Sequence, residues 1–281
     1  MGRNTNRARG RWAAAAVAIC LFGTASGAAE WFVTPSAGGG GSQGSPCSLE
    51  TALNSAVDGD VLYLGEGTYT GDMSGNVALV SHSLSLLGGW DGAATGAPAR
   101  DPAAHPSILD GEGVRRCIVV NTGLSVVLDG LTVQNGYVEG EGGGVYASGS
   151  NLTVQDCRFE GNYAFITGST NAYGGGIRLI NGNLVARDSL FLYNDAYCNG
   201  CSAPRGGGVS VSSQGSVVVD HCEFRGNDSW LGAALDIYST GGGTLLIEDS
   251  LFLQNGQSTS VGVGYTGYAG GVYMTGVSAT L

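Results

Sequence analysis

The sequence contains no lysine, and only 12% of its 281 residues are charged. Without lysine there is no Schiff-base nucleophile, no phosphate loop of the Gly-Lys-Ser/Thr kind and no lysine base. Histidine is scarce as well: His82, His105 and His221 stand in unrelated contexts, which argues against an imidazole cluster. Glycine is abundant at 51 residues against 6 prolines, but it follows no Gly-X-Y period, so a collagen-like chain is excluded and many tight turns are expected. Beyond the N-terminal region no apolar stretch is long enough for a transmembrane helix. After residue 29, eight arginines face 23 carboxylates, a formal net charge of −15. That balance argues against nucleic acid as a partner. No motif calls for a metal or a cofactor.

What is present begins with an address. Arg3, Arg7, Arg9 and Arg11 precede an apolar run at 12–22 and small residues at 23–29, the pattern of a secretory signal peptide over 1–29. Six cysteines follow it: Cys47, Cys117, Cys157, Cys198, Cys201 and Cys222. An exported chain permits disulfides, and the separation of Cys198 from Cys201 within one loop predicts a bridge there. Cys157 and Cys222 hold the same repeat position two coils apart, about 9.6 Å at the spacing of adjacent strands, too far to pair.

The repeat is the strongest signal. Phe159, Phe191, Phe224 and Phe252 recur at intervals near 30 residues, and each is followed three positions later by Asn162, Asn194, Asn227 or Asn255. A period of this size means a solenoid. Apolar residues lie seven and five positions before each Phe, and a small residue two before it. Leu152, Val154 and Cys157 are one such set, and Leu184, Ala186 and Ser189 the next. The odd step between them would flip the inward face of a straight strand, so the chain must turn a corner at Asp156, Asp188, His221 and Asp249. Glycine triplets before Val145, Ile177 and Val209 open each unit with another short strand, and "GAAL" at 232–235 is a degraded copy. These features predict an all-β fold, a right-handed parallel β-helix over 61–281, headed by a cap segment at 30–60. Ser48 is read as the N-cap of a short helix within that segment, and the first strand is expected at Val61 to Leu64.

Glycine-glycine-aliphatic followed by Phe-x-x-Asn resembles the repeat of the polymorphic outer membrane proteins, surface-exposed or secreted β-helix proteins implicated in adhesion. The opening "WFVTPSAGGGGSQGSPCSLETAL" with "GDVLYLGEGTYTG" resembles the start of secreted pectate-lyase-like β-helix proteins. The resemblance implies secretion or display at the cell surface or outer membrane, and a non-catalytic, adhesin-like role. Such outer membrane proteins usually end in a membrane barrel. A fifth unit opens at Gly270 and reaches Leu281 before any Phe-x-x-Asn, so the chain is expected to be truncated, with any membrane attachment in a missing C-terminal region.

Three constellations are candidates for function. The asparagine row is expected to be structural, each Asn satisfying backbone groups at a corner and tolerating the left-handed conformation. Carboxylate chemistry would draw on Arg178, Arg187 or Arg205 with Asp188 or Asp195, the alternative of a polysaccharide-active, pectate-lyase-like enzyme. The third is the loop set at 163–173, 195–205, 228–231 and 256–269, which shares one phase of the repeat and hence one side of the solenoid. It holds Tyr163, Phe165, Tyr173, Tyr197, Trp230, Tyr265 and Tyr268 among Ser, Thr, Asn and Gly. Such rings either cover coil edges or form a recognition surface for a glycan or a host or neighbouring cell-surface protein.

Overall fold

The structure is a computed structural model describing residues 27–71, 73–201, 203–239, 242–256, 271–276 and 278–280. The signal segment thus lies outside the described residues except for 27–29, as do Tyr265 and Tyr268. No helix among the described residues is long and apolar enough to cross a membrane.

The chain winds as a right-handed parallel β-helix. One complete coil runs through Val145–Ser148, Asn151–Gln155 and Arg158–Glu160, each strand lying parallel to its counterparts in the coils above and below. Among the described residues, stacking yields a first sheet of seven strands, a second of nine and a third of seven. The period-2 pattern sends every second side chain inward, so equivalent apolar residues form ladders. Val145, Ile177, Val209 and Leu235 line the first sheet; Leu152, Leu184, Val217 and Leu245 line the second. All eight are buried. In the third sheet the rings of Phe159, Phe191, Phe224 and Phe252 stack with centroids 5.0, 4.6 and 5.0 Å apart, close to the strand spacing.

Corners use the residues the odd step demanded. Asp156, Asp188, His221 and Asp249 all adopt left-handed backbone, with φ of 49°, 47°, 50° and 43°. Polar short side chains tolerate that region better than branched ones. At the glycine triplets two different constraints operate. Gly142, Gly174 and Gly206 have φ of 70°, 64° and 62°. A Cβ on Gly144 would stand 2.4 Å from the carbonyl oxygen of Gly176 in the next coil. Only glycine meets either condition without strain.

The asparagines behave differently from the expectation. Asn162, Asn194 and Asn227 are fully buried and none has positive φ. The left-handed residue is the one before each: Gly161, Tyr193, Gly226 and, before Asn255, Gln254. Freed from the turn, each Asn bridges coils. Asn194 Nδ2 donates to the carbonyl of Phe159 at 3.0 Å and to Asn227 Oδ1 at 3.0 Å, while Asn194 Oδ1 accepts from the backbone and side-chain nitrogens of Asn162. A polar ladder survives in the core because every donor and acceptor on it is used.

At the N-terminal end Ser48 caps a helix at Leu49–Ser55, its Oγ accepting from the Thr51 N–H, and Leu49, Ala52 and Leu53 turn onto the open coil. One strand precedes it, contrary to the sequence expectation. Glu30–Val33 pairs with Val61–Gly65 and so begins the second sheet. Asp60 fixes this rung by accepting hydrogen bonds from Ala29 N, Trp31 Nε1 and Val57 N. A four-residue strand carries too short an alternation to be read from sequence.

Candidate functional site

The segments expected to be loops start as strands. Tyr137–Glu139, Tyr163–Thr167 and Asp195–Asn199 pair in parallel as a separate three-stranded flank sheet outside the three faces of the coil. Their alternation is plain once the register is known. Ala164, Ala196 and Cys198 are buried, and Ala196 and Cys198 join Ala172, Ile166 and Cys201 in a small second core. Cys198 and Cys201 are disulfide-linked across a Cα separation of 5.7 Å, tying the end of the last flank strand to the turn after it. Cys157 and Cys222 are buried, free thiols.

The other face of the flank sheet carries rings. Tyr137 and Tyr163 lie 5.9 Å apart, Tyr163 and Phe165 6.0 Å, and Phe165 and Tyr197 5.9 Å, with interplanar angles of 28°, 14° and 11°. All four are half-buried. They stand outside the solenoid core, so packing of the coil does not require them. Of the sequence candidates, Tyr163, Phe165 and Tyr197 therefore belong to one row, and Tyr137 is an addition. Tyr137 precedes the first full repeat, so repeat phase alone could not find it, though "NGYVEG" matches "GNYAFITG" in its alternation. Trp230, two residues past the bridge between Asp195 and Asp228, lies half-buried in the next coil. Tyr173 is separate: the Arg178 guanidinium sits 4.5 Å over its ring.

At the upper end of the row the rings give way to acids. Asp195 stands in register with Tyr163 and bridges to Asp228. Burial, reinforced by the charge of Asp228, pushes the Asp195 carboxyl up to about 7. Burial also raises the Tyr163 hydroxyl, to about 12, with Asp195 adding to the shift. Polar groups border the rings: Thr167 Oγ1 donates to Glu139 at 3.0 Å, and Asn171 Oδ1 accepts from Ala203 N.

Beneath the flank sheet, on the outer face of the first sheet, lies a buried ionic chain. Arg178 Nε meets Glu141 at 2.8 Å, and its Nη1 donates to Ser210 and Ser212. Ser210 in turn donates to Asp236, whose other oxygen lies 3.7 Å from Arg205. Burial pushes Asp236 up to about 6 against the pull of Arg205. The arginine and aspartate set weighed for carboxylate chemistry is dispersed. Arg178 and Arg205 are spent in this chain, while Arg187 pairs with Asp220 in the second sheet beside the corner residue Asp188. Asp195 alone of that set joins the ring row.

The geometry can be set beside known proteins. The fold is similar to a crystal structure of pectate lyase Pel9A, at 13% identity and a TM-score of 0.35, covering 91% of this chain and 79% of that one. Among curated proteins, none matches the sequence. The family description "right handed beta helix region" matches residues 110–279, which span the phenylalanine and asparagine ladders and the whole flank sheet. With more than half of its length so matched, the chain belongs to the right-handed β-helix family.

Proposed function

We propose that this is an exported, surface-associated binding protein that takes a glycan of a neighbouring cell surface on its flank sheet. The observation that carries the reading is the row Tyr137, Tyr163, Phe165 and Tyr197, half-exposed on a sheet that the solenoid does not need for its own core. Aromatic faces bordered by hydroxyl, amide and carboxylate groups suit a sugar, which offers apolar C–H faces and hydroxyl edges. The signal-like N-terminus and the repeat resembling the polymorphic outer membrane proteins support export and display.

A second reading, cleavage of the bound polysaccharide, is favoured by one feature. Asp195 keeps its proton to about pH 7 beside Asp228, as a general acid flanked by a second carboxylate would. One experiment addresses both readings. Neutral and acidic oligosaccharides are titrated calorimetrically and the mixtures are then sized for chain shortening. Phe165→Ala and Tyr197→Ala should each weaken binding about 10- to 30-fold, roughly 1.4–2 kcal/mol. Tyr238→Ala, an exposed ring on the first sheet, should leave it unchanged. Shortened product that vanishes in Asp195→Asn would replace the binding role with catalysis; unchanged affinity in both ring variants would end the proposal.

A further inference from the structure

The flank sheet starts abruptly. Its first strand, Tyr137–Glu139, has a neighbour above, Tyr163–Thr167, and none below among the described residues. In the coil below, the equivalent segment closes into a turn, with Val114 N and Arg115 N both donating to the carbonyl of Gly111. The space a lower strand would fill is left as a cavity of about 300 Å³, bounded by Ser74, Asn76, Arg115, Arg116 and the strand itself. The strand edge that borders it, Tyr137–Glu139, is three residues long, about 10 Å.

The backbone groups facing the slot follow from the register. Tyr163 N donates to the carbonyl of Gly136 and Gly140 N to that of Phe165, so Val138 between them turns its N–H and C=O upward to the 163–167 strand. The N–H and C=O of Glu139 and the C=O of Tyr137 therefore point down, while the Tyr137 N–H is taken by the carbonyl of Arg115. This is a parallel edge presenting one donor and two acceptors in ladder spacing.

Charge at the slot is uneven. Arg115 is spent, donating to the carbonyls of Thr70 and Gly71 and pairing with Glu112. Arg116 is different. Its Nε and Nη2 are held by the carbonyls of Gly142 and Glu141, and it stacks over Tyr146 at 5.2 Å. Among the described residues it is the one arginine without a carboxylate within 4.0 Å. Burial lowers its pKa against the pull of Tyr146 and Glu141. A fixed cation in a molecule this acidic selects a local anion.

From the missing rung, the outward ladder groups and the unpaired Arg116, we propose that the slot accepts an extended acidic peptide segment of a partner protein. The segment adds below Tyr137–Glu139 as a fourth parallel strand, with a carboxylate side chain directed to Arg116. The site goes beyond the aromatic row and does not depend on it.

The probe is a fluorescent, end-blocked hexapeptide alternating aspartate with valine, compared with its asparagine and lysine analogues by anisotropy on the whole protein. The aspartate peptide should bind tightest and the lysine peptide not at all. Arg116→Gln should cost the aspartate peptide about tenfold, or about 1.4 kcal/mol, and leave the asparagine peptide unchanged. Glu139→Pro, which removes a downward donor together with the carboxylate that Thr167 Oγ1 bonds, should abolish binding of both. If that variant misfolds, the Glu139 amide of the unmodified protein should gain protection from hydrogen exchange on adding the aspartate peptide. Equal binding of aspartate and lysine peptides, indifference to Arg116→Gln, or displacement of the peptide by an acidic oligosaccharide would overturn the proposal. Phe165→Ala should leave peptide affinity intact and Arg116→Gln should leave glycan affinity intact, so failure of one site is distinguishable from failure of the other.

Discussion

Asp195 carries a pH signature of the flank sheet. Its folded-state carboxyl titrates at about 7 and an unfolded aspartate near 3.9, so between those values the folded chain holds a proton that the unfolded chain has released. Stability is therefore complete below about pH 4, falls as pH rises through the window, and levels off above about pH 7. Asp195→Asn removes the dependence. The variant should match the parent in urea at pH 4 and exceed it at pH 8 by about 1–2 kcal/mol, a discounted figure because the group is half-buried and screened. A parent and variant equally stable at both pH values would mean that Asp195 is solvated. Asp60 has the opposite sign: burial opposes its charge, but three donated hydrogen bonds outweigh that and hold it below the usual range. At this scale the sequence was partly legible. The corner aspartates followed from an odd spacing, whereas the proton on Asp195 depends on Asp228, 33 residues away, and on a cross-coil register that composition cannot reveal.

Elements were legible where they repeat. The phenylalanine and asparagine rows recur in four coils, and a fixed offset of three is enough to stack them. Left-handed backbone at the asparagines did not follow, because the same offset fits a turn residue and a buried bridge equally well. Asn194→Leu distinguishes the two. It leaves the buried backbone N–H of Asn162 without its acceptor, takes one of two partners from Asn162 Nδ2 and from Asn227 Oδ1, and removes a donor from the Phe159 carbonyl, and should cost about 2–4 kcal/mol in chemical denaturation. An exposed turn residue would cost under about 0.5 kcal/mol. The flank strands were misread for a physical reason. They occupy only three coils, and glycine, serine and asparagine beside them give loop composition. Their buried residues are alanine and cysteine, with Ile166 the one large apolar side chain beside them, too little to stand out as a core face.

Across the whole molecule, the solenoid explains why the proposed recognition surface lies on one side. Three faces of each coil are fixed by ladders that tolerate little change in volume or spacing, and in the repeats from residue 142 onward the segment between Phe-x-x-Asn and the next glycine bend varies most in length. In two successive coils, and in the shorter segment of the coil below them, that freedom is used to build a sheet with its own small core, a disulfide and an outward row of rings. The fold was legible because it is periodic; the site was legible only as a side of the molecule. The most direct test maps amide hydrogen exchange on the intact protein with and without the tightest-binding oligosaccharide. The account predicts added protection confined to 137–139, 163–167 and 195–199, with the second-sheet strands Asn151–Gln155 and Leu184–Arg187 unchanged. Protection centred on the second sheet, or none at a saturating concentration, would contradict it.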